Sequence, residues 1–150
     1  MIDLAHIHPM LVHFPLALLP VALASQAIAL WRKDNLFGRS CMAQSAFWLY
    51  VLSASSAIAA AIFGDMALDI ARESGVAMNL LEGHEELGML SAWVLTGIAT
   101  VSAFFYRKQA DSRSMAIALF VAGISALALL LTTAWFGGHL VYDLGVNVRG

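Results

Sequence analysis

The sequence predicts an all-α integral membrane protein, a four-helix transmembrane bundle folded as one domain over residues 1–150. Three observations carry this expectation. Only 12% of the residues are charged against 61% hydrophobic, and the mean hydropathy is +0.79. A water-soluble chain of this size carries about twice that charge to cover its surface. Four apolar stretches reach the ~20 residues that cross a ~30 Å hydrocarbon core. The cations, finally, gather in short groups between those stretches. One cysteine and no low-complexity tract exclude a disulfide scaffold or a disordered chain. A net charge of −2 argues against a nucleic-acid partner.

The first stretch runs from about Met10 to Trp31, interrupted only by His13, Pro15, Pro20, Ser25 and Gln26. Arg32, Lys33, Asp34 and Arg39 follow it. The second runs from Cys41 to about Gly64 with no charge in it, and the third spans Leu87 to Tyr106. Arg107, Lys108, Asp111 and Arg113 then lead into the fourth, from Met115 to about Gly138. Lipid offers backbone groups no partner, so each stretch is expected to be helical, and four helices in a short chain make a compact bundle. No repeat beyond this up-down-up-down alternation is expected, and no linker marks a second domain.

The loops differ in sign. Six of the eight cations lie in the two short loops, whereas Asp3, Asp65, Asp69, Glu73, Glu82, Glu85, Glu86 and Asp143 share the other side with Arg72 and Arg149. Basic loops stay in the cytoplasm. Both termini and the acidic connection are therefore expected on the extracytoplasmic side. The first stretch ends in Ala-Leu-Ala-Ser-Gln-Ala, which could pass for a signal peptide, but its cations follow the apolar run instead of leading it. An uncleaved first span is expected. Cys41, alone, reads as a small apolar residue.

All five histidines fall on the acidic side. His6 and His8 precede the first span, His13 lies in its first turns, His84 leads into the third and His139 leaves the fourth. Because the spans alternate in direction, three helices bring an imidazole to one membrane level, and Gly64-Asp65 adds a carboxylate there. For His6 the plain alternative of an interfacial side chain is preferred. His13 sits among Pro9, Met10, Leu11, Val12 and Phe14, and an ionisable group inside a span points to function. Imidazole is the commonest metal ligand at neutral pH and an axial ligand of haem iron.

A haem held by two histidines needs small residues beside the ring. Gly88, Gly137, Gly138, Ala57, Ala60, Ala61 and Gly64 supply them, although close helix packing in lipid uses the same residues. The expected cofactor-binding set is His8, His13, His84 and His139, for haem b. The alternative is a copper, zinc or iron ion held by His13, His84, His139 and Asp65. A zinc-protease motif is excluded, because the position four residues after His84 is Gly88. Trp135 shares the helix face of His139 and could pack on a bound ring. The other aromatic residues read as interfacial belts and the seven methionines as filler.

His8-Pro9-Met10-Leu11-Val12-His13-Phe14-Pro15 opens the chain, and Gly137-Gly138-His139-Leu140-Val141-Tyr142-Asp143-Leu144-Gly145-Val146-Asn147-Val148 closes it. With Gly64-Asp65 and His84 between them, the chain resembles the bacterial membrane family known as domain of unknown function 2231 over essentially its whole length. The resemblance implies a multi-pass protein of the bacterial inner membrane. It also implies electron transfer, because members occur joined to cytochrome c or iron–sulfur modules. The family motif maps onto His8, His13, Asp65, His84 and His139. Many relatives carry an acidic residue where His139 stands, so the resemblance favours His13 with His84 as the pair. The function expected is a b-type cytochrome-like electron-transfer subunit and not a stand-alone enzyme. Its partners would be the lipid bilayer, a quinone or another redox protein, and a larger complex.

Overall fold

The computed structural model describes residues 4–73 and 75–146, and their side chains except those of residues 4–6 and 78–80. Asp3, Arg149 and the side chain of His6 lie outside the described residues. Four helices follow in order: α1 (Leu4–Trp31), α2 (Cys41–Glu73), α3 (Met78–Arg107) and α4 (Arg113–Tyr142). Each contains a stretch long and apolar enough to cross a membrane. The chain is thus an all-α membrane protein, with four helices in a ring whose neighbours are α1–α2, α2–α3, α3–α4 and α4–α1.

The ends of the helices follow local chemistry. Ser40 Oγ accepts from the backbone N–H of Ala43 at the start of α2, and Ser112 Oγ from that of Met115 at the start of α4. Lys33 and Gln109, just past α1 and α3, take the left-handed conformation that closes a helix, with φ of 58° and 49°. Behind them the N–H groups of Asp34 and Ala110 reach back to the carbonyls of Ala29 and Phe105.

All four helices are longer than the apolar runs predict, α2 and α3 by the most. α2 continues beyond Gly64 to Glu73, and α3 begins at Met78 instead of Leu87. The 33 residues of α2 rise about 50 Å, well beyond a ~30 Å hydrocarbon core. Of the carboxylates that resemble a loop in the sequence, Asp69, Glu73, Glu82 and Glu86 lie on the outside of this extension. Its inner face buries Leu68, Ala71 and Leu81 with Leu140 and Val146 in a second apolar cluster. Arg72 ties the extension together, its Nη1 3.0 Å from Asp69 Oδ1 and its Nη2 2.8 Å from Glu85 Oε2.

The main core lies between the four helices and is built from Leu19, Leu23, Leu95, Leu119 and Leu130 with many alanines. Its basic-loop end contains a polar cross-link. Gln26, fully buried, donates from Nε2 to the carbonyl of Ala116 at 2.9 Å and accepts from the Tyr50 hydroxyl.

Candidate functional site

Between the main core and the second cluster, the bundle opens into a cavity of about 400 Å³ that all four helices line. This volume is in the range of small-molecule and cofactor sites, ~300–1,000 Å³. Its walls are apolar or small on most sides, with two half-buried imidazoles facing each other across it. His8, on α1, and His84, on α3, stand with ring centres 5.9 Å apart and planes at 85°.

Each ring is held in the same way by the partner helix of its hairpin. His8 Nδ1 donates to the carbonyl of Ala60 at 2.8 Å, and His84 Nδ1 to that of Thr133 at 3.1 Å. Both carbonyls belong to helical residues that already accept from the N–H four residues on. In both cases that fourth residue is a glycine, Gly64 and Gly137. A Cβ on Gly64 would stand 2.9 Å from His8 Nδ1, and one on Gly137 only 2.8 Å from His84 Cε1. Real Cβ atoms do not approach so closely. Glycine at these two places lets each ring lie against a helix backbone and reach the carbonyl one turn back.

The hydrogen bonds fix the chemistry of the rings. With Nδ1–H given to a carbonyl, the neutral imidazole keeps its Nε2 lone pair free. A metal-ligating histidine carries this same second bond, which sets its tautomer and makes Nε2 a stronger donor. Beneath His84, Ser91 Oγ donates to the Leu87 carbonyl at 2.7 Å and stands 3.2 Å from Thr133 Oγ1. Thr133 in turn donates to the carbonyl of Leu129. The polar atoms under the ring therefore have partners.

The other residues singled out in the sequence occupy different places. His13 lines the rim but is exposed, its Nδ1 bonded to the Pro9 carbonyl of its own helix. Asp65 is also an exposed rim residue, and among the described residues it bonds to neither imidazole. His139 lies away from the cavity, bonded through Nδ1 to Asp143 Oδ2 and stacked under Trp135 with ring centres 6.1 Å apart. Trp135 packs on that exposed imidazole, on the outside of the bundle. Gly88, Gly138, Ala57, Ala60, Ala61 and Gly64 all line the cavity, together with Gly137. No three His, Cys, Asp or Glu side chains among the described residues come together as a metal cluster. The roles of Ala60 and Thr133 as carbonyl acceptors left no mark in the sequence, because any residue supplies a carbonyl.

A family model described as a predicted membrane protein, domain of unknown function 2231, matches residues 5–150. No curated protein and no solved structure matches the chain.

Proposed function

Since this chain belongs to the membrane-protein family known as domain of unknown function 2231, and two of its imidazoles face one cavity, we propose that it is a b-type cytochrome-like subunit. Its ligands would be His8 and His84. The observation that carries the reading is the pairing of these rings across a cofactor-sized space, each with Nδ1 committed to a backbone carbonyl.

Geometry supports the pair. A metal–imidazole bond is about 2.0–2.1 Å, so rings on opposite sides of one metal have centres a little over ~6 Å apart. The observed 5.9 Å lies close to that spacing. Haem iron needs only two ligands from protein, whereas a closed zinc or copper site needs three or four. A pair without a third donor favours haem over a bare ion. His13, exposed at the rim, is no longer the preferred ligand in this reading, and His139 does not line the cavity.

Held here, haem would supply one-electron redox chemistry. The chain's own contribution is positional and electrostatic. His8 and His84 present lone pairs from rings held by two different hairpins. Pro15, Leu16, Leu130 and their neighbours keep water from most of the cavity wall. The opening carries His13, Asp65 and Glu85, which leaves an edge accessible to a carrier. We extend the proposal to the setting: a bacterial inner membrane, termini and cavity on the extracytoplasmic side, with a quinone or a cytochrome c or iron–sulfur protein as redox partner. The basic residues of the two short loops support that orientation.

The test is an absorption spectrum of the protein purified from its own membrane in mild detergent. Reduced-minus-oxidised bands of a six-coordinate low-spin haem, near one haem per chain, are expected. Stoichiometric copper, zinc or iron without haem would replace the reading by that of a metal-binding protein. A colourless, metal-free protein that binds no added hemin would remove both.

A further inference from the structure

The two hairpins of the bundle are copies of one another in register. Adding 76 to an α1 number gives its α3 equivalent, and adding 73 to an α2 number gives its α4 equivalent; the offsets differ because the second connecting loop is shorter. Under this shift His8 falls on His84. Buried Pro15, Leu19, Ala22 and Gln26 fall on buried Ser91, Leu95, Ile98 and Ser102. All seven buried residues of α4 have a buried equivalent in α2, from Ala116 with Ala43 to Leu140 with Ala67. The left-handed Lys33 falls on the left-handed Gln109, and the two closing hydrogen bonds behind them coincide as well.

The site obeys the same shift. Ala60 falls on Thr133 and Gly64 on Gly137, so the carbonyl and the glycine that seat one imidazole are the equivalents of those that seat the other. The sequence retains the copy most clearly here, as Ala61-Ile62-Phe63-Gly64 against Ala134-Trp135-Phe136-Gly137. Equivalent residues also meet: His8 with His84, and Tyr50 with Gly123, where an added Cβ would stand 2.6 Å from the Tyr50 hydroxyl oxygen. Residues meet their own equivalents only along an axis that relates the two halves. Both hairpins run in the same direction, so that axis lies along the bundle, and the cavity sits on it.

We propose that the cavity is a symmetric site made of two equivalent half-sites, with Gly64 and Gly137 as the positioning residues that seat His8 and His84. Such a site takes one ligand with two equivalent faces, and a planar metal complex open above and below its metal has that shape. This ligand class rests on the haem reading; the equivalence of the half-sites does not. A methyl group on either glycine pushes out the ring of its own hairpin only. A purely structural role for the glycines, as close-packing residues, would not single out one histidine each.

The experiment uses the full chain in detergent, labelled with nitrogen-15 in histidine and assigned with His8→Ala and His84→Ala. In the ligand-free protein both imidazoles should show the Nδ1-protonated tautomer. Gly64→Ala should abolish the fixed Nδ1-protonated tautomer of His8 only, and Gly137→Ala that of His84 only. Gly138→Ala should abolish neither, since its nearest atom would stand 4.0 Å away. Should Gly64→Ala fail to fold, adding His8→Ala but not His84→Ala should restore folding, and the reverse for Gly137. Hemin is then titrated: the two glycine variants should weaken it by similar factors, about 10–100-fold each. Loss of the fixed tautomer at both histidines by one variant, rescue by the wrong histidine, or a hemin effect confined to one half would overturn the half-sites. If hemin does not bind the wild type, the haem reading fails while the nitrogen resonances still decide the equivalence.

Discussion

Tyr50 donates its hydroxyl hydrogen to Gln26 Oε1, and Gln26 passes a second bond to the Ala116 carbonyl, joining α1, α2 and α4 in the core. A partner lost in such surroundings leaves a buried polar atom unsatisfied, which costs about 1–3 kcal/mol. Gln26→Leu and Tyr50→Phe should therefore each lower unfolding stability in detergent by about that much. The double variant should cost less than their sum, because it removes both polar ends together. Strict additivity in a double-mutant cycle of thermal or denaturant unfolding would contradict the cross-link.

The histidines should separate in a cofactor assay. His8→Ala and His84→Ala are each expected to remove one axial bond and turn a six-coordinate spectrum into a five-coordinate one. His139→Ala should leave the spectrum unchanged, since its ring is occupied with Asp143 and Trp135 outside the cavity. His13→Ala, at the rim, should alter hemin uptake less than either of the pair. A full low-spin spectrum in both the His8 and His84 variants would sink the ligand assignment.

Asp65 provides a test of how the rings are tuned. The Nδ1 partners are carbonyls of Ala60 and Thr133, not a carboxylate. Asp65→Asn should thus leave haem occupancy intact and move the reduction potential only slightly, in the positive direction, with the effect reduced by salt. A large salt-insensitive shift measured by redox titration would place Asp65 in contact with a ligand.

Orientation is tested by cysteine labelling in a Cys41→Ser background. Arg39 and Gln109 are exposed on the two short loops, and Gly75 on the acidic connection. Cysteines at 39 and 109 should resist an impermeant thiol reagent in intact cells, and one at 75 should react. The opposite pattern would invert the bundle.

The four helices were legible because length and hydropathy decide which segments cross lipid, and neighbours do not change that. The helix ends were less so. Asp65, Asp69 and Arg72 read as loop charges, yet Leu68 and Ala71, at helical spacing between them, pack on Leu81 and Leu140 and continue the helix. The histidine cluster was legible as a level and not as a set of directions. Five residues separate His8 from His13, which at 3.6 residues per turn sets them about 140° apart around α1. One ring facing the cavity centre therefore leaves the other at the rim. His139, two residues past Gly137, is likewise about 160° from the face that meets His84. The internal copy escaped the sequence because the shared feature is which positions are buried. Tyr50 and Gly123, or Gln26 and Ser102, keep the position without keeping the side chain.

The place of His8 along α2 has an electrical consequence. Its ring rests on Gly64, 23 residues from the start of the helix at Cys41, or about 34 Å at 1.5 Å per residue. That is about the full thickness of the hydrocarbon, so with Cys41 at one membrane surface the cavity comes near the other. A whole charge crossing the bilayer feels about 2.3 kcal/mol per 100 mV. On the haem reading, an electron entering and leaving at this level would traverse almost none of that field. Exchange at this level would on that reading be non-electrogenic, and the midpoint potential should be the same in polarised and collapsed vesicles.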